Sequence, residues 1–215
     1  IFDLEGRGLV YCLMALKDRI DREPDTEIPF ETVRRCFEAG LLLFAPVGRG
    51  GGAYLYRSTL DRATVNANSA NAVAGVYAGT DSLLRNSIAY FNVTGTNLFS
   101  AGTVSNSCAP GLAGPGNSSD DPLFVDAPAG DCRLQAGSPC IDAGGSLAGL
   151  RVDLDGVPRP LDGDDDGSPA LDMGSYEHIN RVADSDGDLM WDGYEFKYGL
   201  DPVDPSDGAM NHDGD

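Results

Sequence analysis

A chain of 215 residues with 41% hydrophobic side chains and a single tryptophan has the length of one to two domains and apolar material for a modest core. Its longest apolar stretch, Gly40 to Val47, is far short of the ~20 residues a membrane-spanning helix needs, so no span is expected. A net charge of −19 opposes nucleic acid, whose phosphates demand the opposite sign, and makes cations the expected partner.

Glycine and proline number 28 and 13, roughly a fifth of the chain against about 12% in average usage, which favours a turn-rich β architecture over a helix bundle. The charge is uneven: residues 1–49 carry 7 basic and 9 acidic side chains, 50–183 carry 7 and 15, and 184–215 carry 1 and 10. Nearly half of the net charge therefore sits in the last segment. Five cysteines without a CxxC spacing indicate neither a zinc ribbon nor a complete disulfide framework. The chain opens on Ile1 with no charged-then-apolar leader, and reads as a piece of a longer protein.

Residues 1–49 read as a small α/β segment. Gly8–Leu16 is mostly apolar, and the charged stretch Lys17–Glu23 stops at Pro24. Pro29–Ala39 places Phe30, Val33 and Phe37 at helical spacing, Gly40 ends that helix, and Leu41–Val47 follows as a buried strand. Cys12 and Cys36 are expected as small buried apolar residues. The stretches GRGLVYCLMALKDRIDREP and FEAGLLLFAPVG resemble the small C-terminal domain of class III, fold type I, pyridoxal-phosphate aminotransferases. That resemblance implies that the family's Schiff-base lysine lies upstream. Lys17, the segment's sole lysine, falls where the family has a charged surface turn, so no covalent cofactor is expected here.

Residues 50–180 follow another pattern. Leu60–Asn68 aligns with Leu84–Asn92 at a shift of 24, and Ala53-Tyr54 aligns with Val76-Tyr77 at a shift of 23. A repeat of that length signals a solenoid, and short strands (Ala53–Tyr56, Thr64–Asn66, Ser87–Phe91) broken by Gly, Asn, Asp and Ser favour parallel β coils over helical repeats. Leu60 over Leu84 and Thr64 over Ile88 would stack inside, Asn68 over Asn92 would form an amide ladder, and Asp61 would pair with Arg85 across neighbouring rungs. Four later blocks, Asp120–Asp126, Cys132–Gly144, Asp153–Pro160 and Asp172–Glu177, resemble in order the terminal coils of bacterial right-handed β-helix proteins of the pectate-lyase-like superfamily. The expected fold is therefore mainly β, a right-handed parallel β-helix with a small α/β segment before it and a calcium-loop tail after it. Members with this ending are mostly large secreted or surface proteins of unassigned activity. Cys132 stands where they usually carry an aromatic residue. Cys108 with Cys140 is the preferred disulfide, and Cys132 with Cys140 is its rival.

Residues 181–215 change pattern again. With Asp184 as position 1, Asp186, Asp188, the Met190 carbonyl, Asp192 and Glu195 fall at positions 3, 5, 7, 9 and 12, the ligand schedule of a twelve-residue calcium loop. Leu189 occupies position 6, where the helix–loop–helix version requires Gly. Asn211, Asp213 and Asp215 read as the opening of a second loop, completed by Asp204 or Asp207. The segment resembles the thrombospondin type 3 class of calcium repeats common in bacterial secreted proteins. Two unit charges ~5 Å apart in water repel by roughly 0.8 kcal/mol, so five converging carboxylates are expected to stay disordered without a cation. A second acidic cluster, Asp153, Asp155, Asp162, Asp164, Asp165, Asp166 and Asp172, reads either as calcium ligands or as solvated turns.

The functional expectation is a secreted or cell-surface module with a binding or structural role. Its partners would be calcium ions and a polysaccharide or cell-surface component. Two alternatives stay open: a polysaccharide lyase or hydrolase on the same scaffold, and a fragment of a class III aminotransferase. No catalytic residue is assigned.

Overall fold

A computed structural model of the chain describes residues 51–55, 57–145 and 151–208. They belong to one unit of the chain, Phe44–Asp215. The expectations for residues 1–49, Cys12, Cys36, Asn211, Asp213 and Asp215 lie outside the described residues.

The protein is mainly β, with ten short strands and one α-helix among the described residues. The first eight strands pair only in parallel and form three sheets. One holds β1 (Ala53–Leu55), β4 (Val73–Ala78) and β7 (Thr96–Ser100); the next holds β2 (Thr59–Asp61), β5 (Leu83–Arg85) and β8 (Thr103–Ser105); the last pairs β3 (Thr64–Val65) with β6 (Ile88–Ala89). The register places Ala53 beside Val76, Leu60 beside Leu84, Asp61 beside Arg85 and Thr64 beside Ile88, the pairs that the 23- and 24-residue shifts require. The next tier is shorter, with Val76 beside Leu98 and Leu84 beside Val104.

Left-handed backbone corners explain why the strands are shorter than the apolar runs suggest. Arg57, Arg62 and Ala67 have φ of 49°, 52° and 58°, and Asp81, Asn86 and Phe91, each 24 residues later, have φ of 60°, 49° and 54°. A side-chain-bearing residue in this region costs about 1–2 kcal/mol, so the corners persist only because packing on both sides fixes them. Leu55, Val76, Leu84 and Ile88 are at most 1% exposed, and each contributes roughly 1.5–3 kcal/mol by leaving water. Polar groups inside are satisfied by stacking: Asn68 Nδ2 donates to Asn92 Oδ1 at 3.0 Å and Asn92 Nδ2 donates to Asn97 Oδ1 at 3.0 Å. Gly75 is required beside this ladder, because a Cβ there would run into the Asn97 carbonyl oxygen.

Beyond β8 the parallel pattern gives way to an antiparallel hairpin of β9 (Phe124–Asp126) and β10 (Asp131–Leu134). Its turn is closed by Asp126 Oδ1, which accepts from the Ala129 amide at 3.1 Å, and by Gly130 at φ 83°. Ile88, Cys108, Phe124, Leu134, Cys140, Ile141 and Met173 form one buried cluster, so the parallel tiers and the irregular segment after the hairpin share a core. The helix α1 (Asp192–Tyr198) ends at Gly199, φ 78°, and no helix among the described residues is long and apolar enough to cross a membrane.

Candidate cation site

The segment from Asp184 to Glu195 is a loop that winds into α1, and its own carboxylates tie the backbone down. Asp184 accepts from the Gly187 and Leu189 amides at 2.7 and 3.0 Å, Asp186 Oδ1 accepts from Asp188 N at 3.2 Å, and Asp188 Oδ1 accepts from Met190 N at 2.7 Å. Asp and Asn are suited to such local turns because their short side chains reach the amide two or more residues on. Leu189 takes φ 76° and is 91% exposed. It therefore adopts the conformation that Gly supplies at this position in other loops, and pays for it in strain.

Both Asp184 oxygens are thereby used, whereas Asp186 and Asp188 each spend one oxygen on a turn and keep the other. Asp186 Oδ2, Asp188 Oδ2, both Glu195 carboxylate oxygens and Asp207 Oδ1 are buried without a hydrogen-bond partner. Glu195 is 0% exposed. Ligand atoms of Asp184, Asp186 and Asp188 lie within 4.8 Å of one another, as do those of Asp188, Glu195 and Asp207. Among the described residues no cationic side chain pairs with any of these five. Burial, reinforced by the charges of Asp186, Asp188, Asp192 and Asp207, pushes the Glu195 carboxyl up to about 7. Burial and the neighbouring Asp188 and Asp184 push Asp186 up to about 6. An ionised carboxylate buried without a partner costs several kcal/mol, so the site needs protons or a cation. An all-oxygen donor set suits a hard ion, calcium or magnesium, and excludes a thiolate or imidazole site.

Of the residues expected from spacing, Asp184, Asp186, Asp188 and Glu195 come together. Met190 is fixed in the loop through its amide. Asp192 is 0% exposed but turns to Ser185, accepting from its amide at 2.8 Å and its hydroxyl at 2.6 Å, and burial raises its carboxyl pKa. Asp207 is the addition. It was expected only as part of a second loop, yet it stands beside Asp188 and Glu195, held by the Asp201 amide on its Oδ2 at 2.9 Å. Gly208 follows it so closely that a Cβ would fall on Asp188 Oδ2.

The second acidic cluster disperses. Asp153 accepts from the Asp155, Val157 and Glu177 amides, Asp155 pairs with Arg133 at 2.7 Å, and Asp172 accepts from Asp142 N and His178 N. Only Asp162 and Asp164 stay together, joined by Asp142, which spacing did not suggest. Burial raises Asp142 to about 6. Arg159 and Glu177 form a buried ion pair at 2.9 Å, at most 2% exposed.

In the parallel region, Asp61 meets Arg85 at 3.4 Å, the pairing expected across neighbouring rungs, and also Arg62 at 3.3 Å. A groove of about 570 Å³ opens between the corners at Ala67 and Phe91 and the edge of β9, walled by Phe91, Val93, Leu123 and Val125 with Asp121 and Asp126 beside them. Cys108, Cys132 and Cys140 are thiols, with Cys108 and Cys140 fully buried. No known protein family, curated protein or solved structure matches the chain.

Proposed function

We propose that residues 50–180 are a stretch of right-handed parallel β-helix from a secreted or cell-surface protein, followed by a calcium repeat in which an ion bound between the Asp184–Glu195 loop and Asp207 braces the end of the chain. The observation that carries the reading is Glu195, which is buried with both carboxylate oxygens unpartnered and clusters with the carboxylates of Asp188 and Asp207. The resemblance of the loop to thrombospondin type 3 repeats supports calcium over magnesium, as does the need to accommodate several carboxylates in an irregular shell, since magnesium demands near-ideal octahedral geometry and keeps its waters. Extracellular calcium modules work at Kd of ~10⁻⁴–10⁻³ M, so such a site would be filled outside cells. The stacked register and recurring corners support the solenoid. The groove beside Phe91 supports a binding role, with a polysaccharide or other surface component as ligand: a ring face to pack on, and carboxylates that accept from hydroxyls.

The test is a calcium titration of the chelator-treated chain followed through Trp191, the only tryptophan, which lies within the loop. Saturable binding, weakened at least tenfold by Glu195→Gln, supports the reading. An unchanged signal, with the same melting temperature in calcium and in chelator, overturns it.

A further inference from the structure

Two thiols are buried together where the parallel tiers meet the irregular C-terminal half. Cys108 sits at the end of the stack, bridged on one side to Ile88 and on the other to Ser118. Its amide and carbonyl are bonded to Ser87 O and Ala89 N, both at 2.8 Å. Cys140 belongs to the segment after the hairpin, where its amide donates to Ser138 Oγ at 3.1 Å and its carbonyl accepts from Met173 N at 2.9 Å. Both are 0% exposed and belong to the same seven-residue buried cluster, where the Cys108 thiol donates to the Asp120 carbonyl at 3.2 Å. Cys132 is engaged elsewhere: its sulfur accepts from Asn66 Nδ2 at 2.8 Å and it is only half-buried.

We propose that Cys108 and Cys140 close a disulfide that rivets the last parallel tier to the segment around Ser138–Asp142. The S–S bond forms as the two S–H bonds are lost. Two protons and two electrons pass to a disulfide oxidant such as oxidised glutathione, which leaves as two thiols through a mixed-disulfide intermediate. Because neither sulfur is reachable in the folded chain, the exchange takes place before this core closes, in a compartment where disulfides persist. The link closes a loop of about thirty residues, long enough for a substantial restriction of the unfolded chain.

The full chain refolded from denaturant in a glutathione redox buffer tests this, with intact mass and peptide mapping after alkylation of remaining thiols. The expected result is a peptide pair joining Cys108 to Cys140, present also in a Cys12→Ser/Cys36→Ser/Cys132→Ser variant. Chain refolded in reductant should melt roughly 5–10 °C below chain refolded in the redox buffer, and a Cys108→Ala/Cys140→Ala variant should melt alike after either refolding. A map that joins Cys132 to either residue, or alkylation of both Cys108 and Cys140 in the refolded chain, overturns the proposal. Calcium binding is read separately, so failure of one leaves the other standing.

Discussion

Ser185 donates twice to Asp192, from its amide at 2.8 Å and its hydroxyl at 2.6 Å, and so turns the ninth-position carboxylate into a clasp between the loop and α1. The same hydroxyl accepts from the Asp162 amide at 2.7 Å, which extends the clasp to the acidic turn around Asp162.

Ser185→Ala removes that hydroxyl from both partners and leaves the Asp162 amide and one Asp192 oxygen unsatisfied. Each buried orphan costs about 1–3 kcal/mol. Calcium-loaded Ser185→Ala should therefore lose roughly 2–4 kcal/mol in denaturant unfolding, while Ser185→Thr, which keeps the hydroxyl, should lose much less. Equal stability of Ala and wild type would mean that the clasp contributes nothing.

Leu189→Gly should stabilise the loop. The leucine gains nothing from burial at 91% exposure and holds φ 76°, a conformation that costs about 1–2 kcal/mol for a residue with a Cβ. Glycine's greater freedom in the unfolded chain takes back about 0.5–1 kcal/mol. The strain is the larger quantity, so a net gain near 0.5–1 kcal/mol is expected, read as a higher melting temperature and a several-fold tighter calcium titration. A lower melting temperature would contradict the strain argument.

The parallel tiers were legible in the sequence because stacked strands must repeat their apolar positions. Leu60 with Leu84 and Thr64 with Ile88 announced the register, and the amides of Asn68 and Asn92 announced the ladder. The corners were only partly legible: Asp81 and Asn86 are residue types that tolerate positive φ, but Arg57, Arg62, Ala67 and Phe91 take it with no turn residue to mark them. The shortened third tier escaped a fixed-period comparison for a similar reason, since its offset falls from 23 or 24 to 22 at Leu98 and 20 at Val104. At the cation site, loop spacing found the carboxylates that one turn of chain can gather. Asp207 reaches Glu195 only because the Asp201–Asp207 turn folds back, with Leu200 N on Glu195 O at 2.9 Å and Asp201 N on Asp207 Oδ2. That is a tertiary fact with no local signature, and Asp142 joins Asp162 in the same way.

Proton and calcium should compete for the site. Glu195 at about 7 and Asp186 at about 6 hold protons more tightly folded than unfolded, where carboxylates titrate near 4. In chelator this contribution is therefore fully present below pH ~4 and is lost as pH rises through 6 to 7. The metal-free chain should accordingly melt at a higher temperature at pH 5 than at pH 8, provided that acid spares the rest of the fold. With saturating calcium the ranking should reverse, because the ion binds the deprotonated carboxylates, and calcium affinity should fall as pH drops below 7. A chelated chain whose stability does not decline between pH 5 and pH 8 would show that these carboxylates are solvated.

The Arg159–Glu177 pair separates a buried charge's cost from its value. Arg159 is tied to Glu177 at 2.9 Å and its Nη2 donates to the Gly174 carbonyl, while Glu177 accepts from Leu161 N at 3.0 Å and Asp172 N at 3.2 Å. Burial pushes the Glu177 carboxyl up to about 7 even though the guanidinium pulls it down, so desolvation exceeds the attraction that one cation returns. Arg159→Met should then cost about 3–5 kcal/mol at pH 8, because it leaves a charged carboxylate beside Asp172. The loss should shrink at pH 5, where Glu177 takes up a proton. Adding Glu177→Gln to Arg159→Met removes the orphaned charge while keeping an acceptor for the Leu161 amide, so the double variant should be more stable at pH 8 than Arg159→Met alone. Simple additivity of the two losses would instead mean that the groups contribute through packing and not through their charges.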